Sequence, residues 1–444
     1  MIDETWIAVH YAGTVARRAL PAMLGIALLG FAADAAAGSA ASPVAPVAPA
    51  PAPTAGRADP LSVSVMTFGP GDDPFNRFGH DALWIRDRQA GTDLVYNFGT
   101  FRFDSPRLIF DFLGGRLDYW LSVSSLPVVL DDYQAENRSI VIQELALPPQ
   151  AKLLLQARLR ENARPENRSY KYDYFLDNCA TRVRDAVDRV AGSAVHRAAR
   201  APGRMTLRQH ALRMTAKPLW FYLALDIVLG PEVDRPIDRW GEMFLPEELQ
   251  AGLASATLPD GRPLVGSTTV AFRADRPPPQ AWPPDRRPSF FLAGLAFALV
   301  LGGLGWFSSG VAARVLLGVL VSIWGLLVGS IGCFLIYAWL FTDHVVAHRN
   351  QNILLCAPWA VALAVLGIGV ALGRPGAVRK AYLLGLLAVA AVLSALTVKL
   401  GLAPHQENGA LIAFFLPAWL GVLAGLGLLH HALVVRLYHP RLDS

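Results

Sequence analysis

Cysteine is nearly absent from the 444-residue chain, which contains only Cys179, Cys333 and Cys356. The last two lie within or beside long apolar segments, so the less hydrophobic part of the chain has a single thiol. One cysteine excludes an internal disulfide framework in that part. A lone cysteine is most often a small buried hydrophobe, and its alternative role is that of a nucleophile.

Charged residues are also scarce. They make up 17% of the sequence, against 53% hydrophobic residues, and this composition is too apolar for a water-soluble globular protein. The net charge is +5, but no basic run and no known nucleic-acid-binding motif occurs, and basic residues beside membrane segments produce the same total. We therefore expect a membrane protein without a nucleic-acid partner.

The first segment, residues 1–41, resembles an export signal. Arg17 and Arg18 precede an apolar run that is followed by small residues, which is typical of a cleaved signal peptide or of an uncleaved anchor. Both interpretations place the next segment outside the cytoplasm. Residues 42–60 are rich in Pro and Ala and predict a semi-extended linker.

The middle of the chain, residues 61–272, has ordinary charge and alternates strand-like with helix-like segments. It predicts one α+β domain. A Pro-rich linker, residues 273–288, separates this domain from residues 289–435, which contain five apolar runs. Each run is close to the roughly 20 residues that a bilayer requires, so we expect an all-α five-helix transmembrane domain and a cytoplasmic tail at residues 436–444. The runs are Phe290–Phe307, Leu316–Phe341, Ile353–Leu372, Tyr382–Leu400 and Leu411–Leu433.

The loops between these runs differ in charge. If residues 61–272 are exported, one set of loops lies inside and carries most of the cations, as the positive-inside rule requires. These cations are Arg314, Arg374, Arg379, Lys380, Arg436 and Arg441.

The outer loops carry hydrogen-bonding side chains instead, and these predict a membrane-side part of a site. The alternative is that they only solvate the loops and cap helices. They are Asp343, His344, His348, Asn350, Asn352, Gln406 and Asn408. The pattern Asp343-His344-x-x-x-His348 is only a weak metal-ligand candidate, and the α+β domain has no such cluster, so we predict neither a metal nor a cofactor.

The segment before Val183 predicts a helix start. Asp177 or Asn178 can cap a helix on which Cys179 and Val183 share a face. Cys179 and Ala180 then lie in the first turn, where free backbone N–H groups and the helix dipole favour a thiolate and can stabilise an oxyanion. We therefore expect a lowered thiol pKa, although a buried structural cysteine remains the alternative.

A thiol nucleophile needs a base, and the α+β domain has three histidines. His80, in a predicted strand, is the best placed. His196 has the surroundings of a surface residue, and His210, on a predicted helix, is a weaker competitor. Asn97, in the next predicted strand, is our candidate for a third group that orients the imidazole, with a turn-forming role as the alternative.

Several motifs occur in one order along the chain. They are Phe78-Gly79-His80, Tyr96–Phe101, Phe112–Tyr119, Asp177–Arg182, Met243–Pro246, Phe341–His344 and Asn350-x-Asn352. In this order they resemble the Lnb family of bacterial lipoprotein N-acyltransferases. The similarity covers nearly everything after Leu61.

This resemblance implies a permuted papain-like (NlpC-like) fold, in which the strand of His80 precedes the helix of Cys179. It implies that Cys179 is the nucleophile, that His80 is its base, and that N–H groups at the helix start hold the oxyanion. The implied reaction moves a fatty acyl chain from a phospholipid, through a thioester, to the N-terminal amine of a diacylated lipoprotein. It would take place at the periplasmic face of the bacterial inner membrane, with the lipid bilayer itself as a partner.

Two other functions stay open at this point. Permuted papain-like folds also support cysteine hydrolases, so an envelope peptidase or amidase is the first alternative. The second is a non-catalytic envelope scaffold in which Cys179 is merely buried.

Overall fold

The computed structural model describes residues 59–101, 111, 114–401 and 405–438. The predicted signal or anchor, most of the first linker and most of the predicted tail lie outside the described residues. Of the Phe112–Tyr119 motif, the structure describes residues 114–119.

A seven-stranded antiparallel sheet forms the centre of the α+β domain, with the strand order β6-β4-β3-β2-β1-β5-β7. The strands are β1 (Leu61–Phe68), β2 (His80–Asp87), β3 (Thr92–Thr100), β4 (Asp118–Ser125), β5 (Ile140–Leu145), β6 (Ser169–Lys171) and β7 (Val265–Phe272). The β2–β3 hairpin closes through Gly91, whose φ of +64° is readily adopted only by glycine. This hairpin places the His80 strand next to the Asn97 strand.

Helices cover both faces of the sheet. They are α1 (Leu126–Ala135), α2 (Pro149–Asn162), α3 (Cys179–Val190), α4 (Ala194–Ala198), α5 (Leu207–Met214), α6 (Leu219–Val228), α7 (Arg239–Glu242) and α8 (Pro246–Ser255). On one face, apolar side chains including Phe68 and Ala82 pack with residues of α1. On the other face, Val65 and Leu83 pack with residues of α2, α3 and α8. Because strand side chains alternate between faces, each residue of β2 belongs to one of these two layers.

The C-terminal region is helical. Four of its helices are long and apolar enough to span a membrane: α9 (Arg287–Trp306), α10 (Val311–Phe341), α12 (Pro375–Gly401) and α13 (Gly409–Tyr438). Between α10 and α12 lies a broken segment. It consists of the 3-10 turns Val345–Ala347, Gln351–Leu354 and Pro358–Val361 and the helix α11 (Ala362–Ala371), with a bend of 63°.

The ends of the broken segment lie on opposite sides of the helical region. At its start, the backbone N–H of Asp343 donates to the carbonyl of Gly114 in the α+β domain (3.0 Å). At its end, the Arg314 side chain, near the beginning of α10, donates to the carbonyl of Ala371 (3.4 Å). The broken segment therefore runs alongside α10, and counted as one bent span it brings the apolar spans among the described residues to five. The predicted order, an α+β domain followed by an all-α membrane domain, is confirmed.

Candidate active site around Cys179

The helix start at Cys179 is firmly capped. The Asn178 side chain accepts a hydrogen bond from the backbone N–H of Thr181 (2.9 Å), and the Thr181 hydroxyl accepts one from the N–H of Asn178 (2.8 Å). The Asn178 amide also donates to the carbonyls of Tyr174 and Phe244 (both 2.9 Å). Asn178 therefore caps α3 and joins it to the chain near α8, which holds the sulfur in a defined position.

The Cys179 sulfur lies at the open end of the β2–β3 ladder. The paired residues nearest to this end are Ala82 and Asn97. Beyond them, the backbone N–H of Asp81 faces the sulfur together with the N–H of Ala180, and both lower the pKa of the thiol. The nitrogen of residue 81 is only two bonds from the Cα of residue 80. The sulfur therefore lies within roughly 6 Å of the His80 backbone.

The expected lowering of the thiol pKa is not found. Burial and the nearby carboxylate of Asp81 raise the pKa of Cys179 to about 12. The side chain is only 7% exposed, so a thiolate loses most of its contact with water, and the two N–H groups compensate only partly. At physiological pH the Cys179 thiol is therefore protonated.

His80 points to the opposite face of the sheet. Its ring stacks with the rings of Phe68 and Tyr133, at centroid distances of 6.0 and 6.2 Å. Burial and the charge of Arg138 lower the pKa of His80 to about 3. The imidazole is thus neutral at physiological pH, and in this buried position it is a weak base. In the described part of the chain, no hydrogen bond joins this ring to the Cys179 sulfur.

Asn97 lies beside His80. It pairs across the ladder with Ala82, which shares a face with His80, and its amide interacts with the imidazole and raises the pKa of His80. Its Oδ1 atom has no partner of strict hydrogen-bond geometry among the described residues. The predicted orienting residue is therefore adjacent to the imidazole, on the face turned away from α3.

Asp81 was not predicted as a site residue, yet it shares a face of the sheet with α3. The side chain is fully buried, one carboxylate oxygen accepts a hydrogen bond from the Thr67 hydroxyl (2.8 Å), and the other has no partner among the described residues. Burial raises the pKa of Asp81 to about 7. The signal was available in the sequence, because an acidic residue between His80 and Ala82 must occupy the other face of the same strand.

Tyrosines surround the sulfur on a third side. Gly99 has a φ of +90°, and a Cβ atom added there would lie 3.8 Å from both the Cys179 Cβ and the Tyr170 hydroxyl and 3.3 Å from the Tyr172 ring. Gly99 therefore packs between the Cys179 side chain and two tyrosine side chains, in a conformation that favours glycine. The hydroxyls of Tyr170 and Tyr174 are buried without hydrogen-bond partners among the described residues. Burial raises the pKa of both, so both remain protonated donors.

The other two histidines of the domain have other surroundings. His196 is exposed on α4, with its ring 4.8 Å from that of Trp240. His210 is buried on α5, where its Nε2 atom lies 2.9 Å from Glu242 and its Nδ1 atom accepts from Arg213 (3.1 Å). Both positions fit the sequence interpretation that His80 is the better candidate.

Four residues predicted for a membrane-side site are fully buried; three of them hydrogen-bond to the α+β domain, and the fourth, Asn408, holds one of these three. Asn350 donates to the carbonyls of residues 227 and 228 (both 2.8 Å), and Asn352 to those of residues 226 and 227 (3.0 and 2.9 Å). Gln406 donates to the carbonyl of residue 229 (2.9 Å), and Asn408 to the side chain of Asn352 (2.9 Å). We call these four side chains the amide lock, because they cap the C-terminal end of α6 and join the two domains.

The remaining outer-loop residues lie where the first loop meets the α+β domain. Asp343 is 3.8 Å from Arg116, and His348 contacts the carbonyl of Thr342 through Nε2 (3.1 Å). His344 follows Asp343 in the same loop. Among the described residues, no group of three or more His, Cys, Asp and Glu side chains could hold a metal ion.

The comparison with known families agrees with this arrangement. Residues 54–212 match the model of the Lnb N-terminal periplasmic domain. This region is therefore similar to that domain. The resemblance inferred from the motifs is thus confirmed for the segment that contains His80, Asn97 and Cys179. No curated protein and no solved structure gives a significant match. The match and the apolar helices together support a membrane protein with an exported domain.

Proposed function

We propose that this chain is an inner-membrane lipoprotein N-acyltransferase. In this proposal, Cys179 accepts a fatty acyl chain from a phospholipid and passes it to the N-terminal amine of a diacylated lipoprotein. One observation carries the proposal: in a region that matches the Lnb periplasmic domain, a buried thiol at a capped helix start lies within roughly 6 Å of the backbone of a neutral histidine.

The first half-reaction forms the thioester. His80 takes the thiol proton as the sulfur attacks the ester carbonyl carbon, and it then gives this proton to the departing alkoxide, which leaves as a lysophospholipid. The raised thiol pKa favours such concerted proton transfer over a preformed thiolate. For this step His80, the first residue of β2, must swing around the end of the strand from Tyr133 towards the sulfur; Asn97 orients the ring in its resting position.

The second half-reaction forms the amide. The lipoprotein amine attacks the thioester, an amine proton passes to His80, and the thiolate that leaves takes this proton back. In both steps negative charge develops on the carbonyl oxygen. We take two groups as candidate donors to this oxygen. They are the Ala180 N–H at the start of α3 and the buried hydroxyl of Tyr170.

The proposed domain division explains why the two halves occur in one chain. Residues 61–272 would form the catalytic domain, residues 273–288 a tether, and residues 289–435 the membrane domain. Both substrates are anchored in the bilayer, so the catalytic domain must stay at its surface. The amide lock supports this proposal because it fastens the domain to the outer ends of the membrane helices.

The test is to identify what Cys179 carries in cells. The full chain is purified in detergent and its Cys179 peptide is analysed by mass spectrometry, with Cys179→Ala as the control. We expect a fatty acyl mass that neutral hydroxylamine removes, and N-acylated lipoproteins that disappear in Cys179→Ala cells. A peptidyl adduct in place of the acyl group would support the hydrolase, and full lipoprotein acylation in Cys179→Ala cells would support the scaffold.

A further inference from the structure

Helix α6 is unusually apolar for part of an exported domain. Its sequence, Leu-Trp-Phe-Tyr-Leu-Ala-Leu-Asp-Ile-Val, contains one charged residue, Asp226. That carboxylate is buried against the guanidinium of Arg208 (3.2 Å), which also binds Asp234 (2.7 Å). The charge of Asp226 is therefore compensated within the protein, and the rest of α6 has the composition of a membrane segment.

Helix α6 packs against an apolar cluster of each domain. Leu219 and Leu223 pack against the core of the membrane domain, and the Tyr222 ring lies 6.5 Å from that of Phe290 in α9. Phe221 packs against the core of the α+β domain. The apolar surface of the membrane helices therefore continues onto α6.

Both ends of α6 lie at the outer ends of membrane helices. Just before its start, the carbonyl of Ala216 accepts a hydrogen bond from Arg286 (2.6 Å), the residue that precedes α9. At its C-terminal end, the amide lock and Arg208 donate to the carbonyls of residues 226–230. These carbonyls do not need water, and this is the condition for placing a helix end in hydrocarbon.

One side of α6 is not completely covered by protein. Trp220 and Ala224 lie one helical turn apart, remain partly exposed and belong to neither apolar cluster that α6 contacts. We propose that α6 lies within the outer leaflet of the bilayer, where this side contacts lipid acyl chains. A bilayer is the partner that fits, because the side is apolar, adjoins the membrane helices and ends at carbonyls that are satisfied within the protein.

This position links the bilayer to the candidate active site. Phe221 of α6 belongs to the same apolar cluster as Phe78, which precedes the His80 strand, and Phe175, which precedes the Cys179 helix. An α6 immersed to a fixed depth therefore sets the height of both residues above the hydrocarbon.

Spin-label accessibility tests this inference on the full chain in liposomes. The background carries Cys179→Ala, Cys333→Ser and Cys356→Ala, and a nitroxide is attached at Ala224→Cys. Two controls bracket the result. Ala90→Cys, on the exposed β2–β3 turn, reports water, and native Cys333, retained on the exposed side of α10, reports lipid.

We expect the Ala224→Cys label to collide with oxygen several-fold more than with a water-soluble nickel chelate, as the Cys333 label does. A preference for nickel like that of Ala90→Cys would overturn the proposal, and so would protection from both reagents, because the side would then be covered by protein. Trp220→Cys repeats the measurement one helical turn earlier on the same side, in case the first variant does not fold.

Discussion

His80 and Asp81 are neighbours on β2, but they present their side chains to opposite faces of the sheet. His80 stacks on Tyr133 on the α1 face, and Asp81 accepts a hydrogen bond from Thr67 on the α3 face. The charge that acts most directly on the Cys179 thiol is therefore that of Asp81. The imidazole lies on the other side of the same short piece of backbone.

The first prediction concerns thiol reactivity. Asp81→Asn removes the carboxylate that raises the pKa of Cys179 but keeps an oxygen for the Thr67 hydroxyl. The thiol pKa should fall, and alkylation of Cys179 by iodoacetamide at pH 8 should accelerate by roughly tenfold for each pKa unit recovered. The rate is read from the Cys179 peptide by mass spectrometry.

Asp87→Asn, at the far end of β2, is the matched control and should alkylate like the natural protein. Because the pKa of Asp81 is about 7, the advantage of Asp81→Asn should shrink as the pH falls below that value. Unchanged or slower alkylation at pH 8 would show that the carboxylate does not act on the sulfur.

The second prediction concerns the base. His80→Ala should reduce acylation of Cys179 and of lipoproteins by roughly a hundredfold or more, while expression and membrane insertion stay normal. The exposed His196 is the matched control, and His196→Ala should keep natural activity. Turnover at the natural rate in His80→Ala would remove His80 from the mechanism.

The sequence predicts local features well at this site. The cap at Asn178 follows from residue types next to each other, and the strand of His80 follows from alternation. The five membrane segments follow from run lengths alone, although the third is broken, because Pro358 lacks the N–H that helix continuity needs.

Long-range relations could not be read in the same way. The burial that keeps Cys179 protonated depends on how closely α3 packs against β2 and β3, which strand and helix patterns do not specify. Likewise, Asn352 hydrogen-bonds to carbonyls more than a hundred positions earlier in the chain. Sequence showed that the outer loops were polar, but their partners appear only when α6 is placed beneath the α+β domain.

The third prediction concerns the Tyr170 hydroxyl. Tyr170→Phe removes one buried, unpartnered hydroxyl beside the sulfur. If that hydroxyl donates to the developing oxyanion, kcat for acyl transfer should fall by roughly a hundredfold with little change in KM. Alkylation of Cys179 should be unaffected. Tyr96→Phe, on β3, is the control, and a similar loss in both variants would indicate a structural effect only.

The fourth prediction concerns stability. The pKa of Asp81 is 3.8 without burial and about 7 in the folded protein, so the folded chain holds an extra proton between these values. Stability contributed by this group therefore falls as the pH rises from about 4 to about 7, by a few kcal/mol at most. His80 acts in the opposite sense, because its pKa falls from 6.5 to about 3 on folding.

These two effects partly cancel in the natural protein, so the informative quantity is the difference between Asp81→Asn and the natural chain. Thermal unfolding in detergent should show a gain in Tm from Asp81→Asn that is larger at pH 8 than at pH 4.5. An equal gain at both pH values would mean that Asp81 is not the titrating group.

The fifth prediction tests the amide lock. Asn352→Ala removes two hydrogen bonds to the end of α6 and leaves the Asn408 amide without its partner, which should weaken domain contact by roughly 2–4 kcal/mol. The Pro-rich linker at residues 273–288 should then be cut faster by protease, and acyl transfer between membrane-anchored substrates should slow. Alkylation of Cys179 should not change, because α3 keeps its own cap.

Asn162→Ala removes an amide on α2 that bonds only within its own surface loop, and it should leave both measurements as they are. If Asn352→Ala also leaves linker cleavage and acyl transfer unchanged, the lock does not hold the domains together. The tether alone would then set the distance between Cys179 and the membrane, and a longer tether would be expected to slow the reaction where Asn352→Ala did not.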